Sequence, residues 1–320
     1  MTRSLVRTLC PKCRAVGFDA DTCGSCGIHF ESYRRHLEKL KTQGPAPWRT
    51  VEDAYDPTLR ADRAFHDWKL VVFPLPVAAL GSLVFKFLGP LDHIPTYLIT
   101  IPTHELGHAL MAWLNGHFAL PLGVLIPMAA VTQVSQSRSV AVSLIAMIAL
   151  GWVAYRSFRE SRWFPALTSS VLILATLICS WSIPDRDSML LITWAGCGGE
   201  FILGTLFVSA FFHRAPLRWR WDFFRFPVMG AGTYALVSAW LQWHRIASGA
   251  RSLPIGSFLD TGSSGGDMGA LLNTYGWAQA RIIGSYVTLG RVCLAVVVLQ
   301  YVYFAGRAIL SFRSGSTSAS

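Results

Sequence analysis

Charge is what this 320-residue chain has least of. Only 14% of its residues are charged, where a soluble domain carries about a quarter. Carboxylates are scarcest of all: eighteen in the whole chain, nine of them before residue 70. Between Glu105 and Glu160 there is none. A solvated surface cannot be built from such a stretch, so an ordinary soluble domain is excluded for the greater part of the sequence. Missing too is an apolar run at the start, where Met1-Thr2-Arg3-Ser4-Leu5-Val6-Arg7 leads straight into cysteines. With no signal-peptide core there, the N-terminus is expected to stay in the cytosol.

Hydrophobic residues make up 52% of the chain. From Leu70 they gather into long runs separated by short basic loops. The net charge of +10 therefore does not indicate nucleic acid, because the arginines sit between apolar segments instead of forming one stripe. No nucleic-acid partner is expected; the lipid bilayer is. About 20 apolar residues cross a bilayer as a helix. On that measure the candidate spans are 70–89, 94–116, 118–134, 139–157, 164–183, 188–212, 226–243 and 282–311, the third and seventh being the weakest. The basic loops Arg156–Arg162 and His213–Arg220 belong on the cytosolic side. Eight crossings then leave both termini cytoplasmic, in an integral, multi-pass protein of a bacterial inner membrane. The expected fold class is all-α: a polytopic transmembrane helical bundle of about eight spans with a small N-terminal zinc-knuckle domain. The expected divisions are 1–30 (knuckle), 31–69 (charged helix and linker), 70–312 (membrane domain) and 313–320 (disordered tail).

The head carries two C-x-x-C pairs, Cys10-Pro11-Lys12-Cys13 and Cys23-Gly24-Ser25-Cys26. Each pair can turn two thiolates toward one ion, and two pairs complete a tetrahedral structural zinc site. Two disulfides fit a cytosolic segment poorly. Four thiolates leave no open coordination position, so this zinc ribbon-like segment points to docking or regulation.

Chemistry concentrates in the second predicted span, at His104-Glu105-Leu106-Gly107-His108. Residues four apart on a helix share a face, so the two imidazoles can bind one Zn²⁺. Glu105 can then take a proton from the attacking water and hand it to the leaving amine. Ionisable groups inside a membrane segment are costly unless they pair or work, which weighs against a chance H-x-x-x-H. The residues C-terminal to the motif are equally informative. The Gly and third His of the metzincin extension would fall at Met111 and Leu114, and no glutamate occurs some twenty residues on. A third ligand must come from a distant segment. Glu200, midway along the sixth span after Gly198-Gly199, is one candidate, and its depth matches that of His104. Asp267, in Gly265-Gly266-Asp267-Met268, is the other.

At these residues the chain resembles the site-2-protease-like intramembrane zinc metallopeptidases. The resemblance rests on His104 to His108, on Gly198-Gly199, and on Gly266-Asp267-Met268 with Leu271-Leu272. It implies a catalytic zinc completed by a distant aspartate, and so favours Asp267, while depth favours Glu200. One departure is that no Leu-Asp-Gly occurs, since Asp260 precedes Thr261 and Asp267 precedes Met268. The function implied is a membrane-embedded zinc metallopeptidase with Glu105 as general base, hydrolysing a membrane-associated protein or peptide. The alternative is a non-proteolytic metal-binding membrane protein: a sensor, assembly factor or transporter. A transporter needs further ionisable groups along its spans, and only Glu200 offers one. A third possibility makes the zinc head the working module and the body its anchor. The remaining cysteines, with His117, His213 and His244, are assigned no role.

Overall fold

A computed structural model describes residues 7–9, 16–18, 31, 33, 35, 38, 68–125, 131–159, 162–213, 224–255 and 266–316. The chain divides into two units, Met1–Asp67 and Trp68–Ser320.

In the first unit, strands β1 (Arg7–Leu9) and β2 (Val16–Phe18) pair antiparallel, Arg7 opposite Phe18 and Leu9 opposite Val16. Glu31, Tyr33, Arg35 and Glu38 are helical, within the segment expected to form the charged helix. Arg35 and Glu31, one turn apart, lie 3.3 Å from each other. The four cysteines Cys10, Cys13, Cys23 and Cys26 lie outside the described residues.

The second unit is mostly helical. Five helices are long and apolar enough to cross a membrane: α1 (Trp68–Phe87), α3 (Val140–Arg159), α4 (Trp163–Trp181), α5 (Asp185–Phe212) and α7, whose apolar part is Gln279–Leu310. Large apolar side chains on α1, α3 and α4, among them Val77, Leu80, Ile145, Ile148, Leu167 and Leu174, face outward. So broad an apolar exterior suits lipid better than water.

Five is fewer than the eight spans expected, and three segments account for the difference. The H-E-x-x-H helix α2 (Ile101–Leu114) has 14 residues of its own, about 21 Å against a hydrocarbon core of about 30 Å, and it is not among the five although a helical turn, His93–Pro95, lies just before it. A π-helical turn, Thr96–Thr100, precedes it, and Gly116, at φ +78°, ends it in a conformation that favours glycine. Among the described residues, 118–134 hold no helix longer than the single turn Leu122–Leu125. They belong to a hairpin in which β3 (His117–Pro121) pairs antiparallel with β4 (Thr132–Arg138). Thr132, Gln133, Ser135, Gln136 and Ser137 make β4 a polar strand, so the fold is not purely α. The third segment, α6 (Arg225–Ala247), is a 23-residue helix but is not among the five; it is packed inside the protein, with Tyr234, Ala235, Leu236, Ala239 and Trp243 buried.

The connection expected from 244 to 281 holds structure of its own. A helical turn, Asp267–Gly269, runs into a π-helical turn, Ala270–Thr274. At the other end, α7 (Gln279–Ser316) continues past the expected boundary at Phe312.

Helix α5 is the axis of this unit. On one side it meets α2 at a glycine pair: a Cβ on Gly107 would come within 2.8 Å of the Gly199 Cα, and one on Gly199 would fall on the Gly107 Cα. On another it meets α6, where a Cβ on Gly204 would lie 2.9 Å from the Gly232 carbonyl oxygen. Contacts of this kind let helices approach with backbone against backbone, a device suited to membrane interiors. Between α5, α6 and α7 lies the main core, with Phe201, Phe211, Trp243, Leu271, Ile282 and Tyr286 fully buried. Tyr286 stacks on Trp243 and Trp194, and its hydroxyl donates to the Trp194 carbonyl at 2.9 Å. Leu271 belongs to the segment that carries Asp267, so the core itself fixes where that carboxylate lies.

Arg138 secures the hairpin. Its guanidinium donates to the carbonyls of Ser180 (3.1 Å) and Ile183 (2.6 Å) and lies 2.8 Å from the Asp185 carboxylate. The end of β4 is thus held to the corner between α4 and α5.

Candidate metal centre

The helical repeat places His104 and His108 on the face of α2 that meets α5. The helices run antiparallel, with His104 against Glu200 and His108 against Ile192. A Cβ on Gly196 would sit 2.6 Å from His104 Nε2 and collide with the His108 ring. The absence of a side chain there makes room for both imidazoles.

The two Nε2 atoms lie 3.2 Å apart. Asp267 Oδ2 is 2.9 Å from the first and 3.0 Å from the second. Two nitrogens and one oxygen therefore form a nearly equilateral triangle. In a tetrahedral site with bonds of about 2.0–2.1 Å, neighbouring ligand atoms stand about 3.3 Å apart. The donor set fits a zinc ion, with three ligand atoms in place after a slight expansion.

The outer ring nitrogens are occupied as well. His108 Nδ1 is 2.7 Å from the Ile192 carbonyl oxygen. A carbonyl only accepts, so Nδ1 carries the hydrogen and Nε2 presents its lone pair inward. His104 Nδ1 is 2.9 Å from Glu200 Oε1. These two contacts set the tautomer and the plane of each ring, as partners of metal-binding histidines do. Sequence left Glu200 and Asp267 as rivals for one place. They stand on opposite sides of the His104 ring, Asp267 within the triangle and Glu200 behind it.

Glu105 is buried, and its Oε2 accepts a 2.6 Å hydrogen bond from Thr132 Oγ1 on β4. A cavity of about 650 Å³ brings Glu105 and Thr132 together with His104, His108, Asp267 and Cys197. Thr103, adjacent to the motif, spends its hydroxyl on the Ile99 carbonyl one turn back and touches neither imidazole ring through it.

Two residues of the site went unassigned in the sequence. Thr132 lay within a stretch expected to be a span. Cys197 passed for a core thiol, although it stands three residues before Glu200 and hence on the same helix face. A ring nitrogen of His104, the Cys197 sulfur and a Glu200 oxygen all lie within 4.8 Å of one another. Comparison with protein-family models, with curated proteins and with solved structures finds no match for this chain.

Proposed function

We propose that the protein is a membrane-embedded zinc metallopeptidase of the site-2-protease-like kind, acting on a membrane-associated protein or peptide. The observation that carries this reading is the triangle of His104, His108 and Asp267 with Glu105 in the same cavity. His104, His108 and Asp267 would hold the ion, with Glu200 and the Ile192 carbonyl orienting the two rings. Bound there, zinc supplies a Lewis acid for the scissile carbonyl. Glu105, steadied by Thr132, accepts the proton of the attacking water and returns it to the leaving amine.

The hairpin suits this chemistry. Thr132 and Val134 of β4 line the cavity, and among the described residues β4 pairs only with β3. An extended substrate added along the open edge of β4 would run past the ligand triangle, held by backbone hydrogen bonds.

In the membrane, the five apolar helices with α6 as a sixth crossing give an even number. The α2 helix and the hairpin then add no net crossing. This keeps both termini cytoplasmic, with the loops 156–162 and 213–220 on the same side, as their arginines require. Cys10, Cys13, Cys23 and Cys26 would bind a second, structural zinc in the head.

The test is Glu105→Gln in purified protein reconstituted in lipid vesicles, with zinc content and cleavage of membrane-anchored peptides measured together. The substitution should keep the metal and abolish cleavage. Undiminished cleavage would remove Glu105 as the base. A wild-type protein that holds zinc and cleaves nothing in a broad set of membrane substrates would favour the non-proteolytic alternative.

A further inference from the structure

We propose that Cys197, Glu200 and the outer nitrogen of His104 form a second metal position behind the first, one that takes a thiophilic divalent cation such as cadmium, or zinc in excess. It rests on the reading of His104 as a ligand of the first centre through Nε2. That commitment leaves Nδ1, and Nδ1 already has the Glu200 carboxylate 2.9 Å away. The Cys197 sulfur, a Glu200 oxygen and a ring nitrogen of His104 all lie within 4.8 Å of one another, and the Glu200 contact at Nδ1 places the group on the outer side of the ring.

Three features distinguish this group from a chance meeting of side chains. Cys197 and Glu200 are both buried, three residues apart on one face of α5. Cys197 takes no part in the peptidase chemistry, yet it lines the cavity through which an ion would enter. Its sulfur also changes the preference of the position, because thiolate ligands select soft cations where carboxylate and imidazole alone do not.

The charges balance. With the first position filled, one dication faces the carboxylates of Asp267 and Glu200, and the pair of positions is neutral. A second dication displaces the proton of the Cys197 thiol and the Nδ1 proton of His104. Two protons leave to water as two positive charges arrive, and the imidazole becomes a bridging imidazolate. No oxidant or reductant is needed. Glu200 changes from hydrogen-bond acceptor to ligand, so the second ion acts on the first centre directly through His104.

The experiment is a cadmium titration of the full chain in detergent, followed by ion uptake and by the ultraviolet absorption of cadmium thiolate. Wild type and Cys197→Ser share the same head cysteines, which cancel in the comparison. Wild type should take up one more cadmium per chain and show the larger absorption, whereas Cys293→Ser, which changes a buried thiol on α7, should match wild type. Equal uptake and equal absorption in wild type and Cys197→Ser overturn the proposal. Should the variant fail to fold, wild type alone decides: cadmium should protect Cys197 from a small alkylating reagent, mapped by mass spectrometry, and alkylation at an unchanged rate overturns it. Neither readout uses cleavage. A chain that never hydrolyses a peptide but shows the extra cadmium supports this site while sinking the peptidase reading.

Discussion

Glu200 and Asp267 grip one imidazole from its two ends: Oε1 of Glu200 is 2.9 Å from His104 Nδ1, and Oδ2 of Asp267 is 2.9 Å from Nε2. The two carboxylates therefore differ in what their removal should do. Asp267→Ala takes away a ligand and should abolish zinc binding at this centre. Glu200→Gln keeps a hydrogen-bonding group behind the ring and should weaken binding by about 10–100-fold, the usual loss for a partner of a metal-binding histidine. Competition with a chelator of known affinity measures both. A larger loss from Glu200→Gln than from Asp267→Ala would exchange the roles given to the two residues.

Gly196 is the position at which any side chain meets both imidazoles. Gly196→Ala should lower the zinc content of the membrane unit while leaving the protein extractable and helical. Zinc analysis together with circular dichroism checks it. A full complement of zinc would mean that the rings have room to withdraw.

The contact between Gly107 and Gly199 is backbone on backbone, so there is nowhere for a methyl group to go. Gly199→Ala should part α2 from α5 and destabilise the protein by about 1–3 kcal/mol, the range of overpacked cores. Thermal unfolding in detergent reads the effect, with Gly151→Ala, at a glycine with open space around it, as the comparison.

Among the described residues, the Thr132 hydroxyl donates to the Glu105 carboxylate and lies by the Glu105 backbone carbonyl. Thr132→Val keeps the shape and deletes the donor. A hydrogen bond to a charged group is worth about 1.5–3 kcal/mol, so cleavage should fall roughly tenfold or more while zinc is retained. Loss of zinc with the rate would show that the hairpin shapes the ligands instead of the base.

Arg138 binds the hairpin to the corner of α4 and α5 through two carbonyls and a carboxylate. Arg138→Met should free β4, seen as faster hydrogen exchange over 132–138. Zinc affinity should change little, because His104, His108 and Asp267 lie on other segments. Unaltered exchange would show that strand pairing alone holds the hairpin in place.

What the sequence disclosed depended on how local each feature was. His104, Glu105 and His108 could be read because a helix repeats every 3.6 residues and the ligand spacing matches that repeat. The long helices α3, α4, α5 and α7 could be read because crossing lipid needs a length of apolar chain that shows in any window. The hairpin could not, since Phe118, Ala119 and Leu120 are as apolar in a strand as in a span. The polar run from Thr132 to Ser137, beyond the turn at Asn115-Gly116, was the sign of it. The choice between Glu200 and Asp267 is a tertiary matter: it turns on which side of one ring each carboxylate reaches, and spacing along the chain holds no record of that.

The ligand triangle has a consequence in time. His104 and Asp267 are 163 residues apart, and α5, which carries the orienting Glu200, lies between them. A ribosome feeding this chain into a membrane releases the two histidines first, then α5, and Asp267 only shortly before the last helix. Throughout that interval the motif lacks the carboxylate that completes the triangle. On the proposed reading the centre would be silent during synthesis and complete only when nearly the whole protein is in place, which would guard the nascent chain and its neighbours against premature activity.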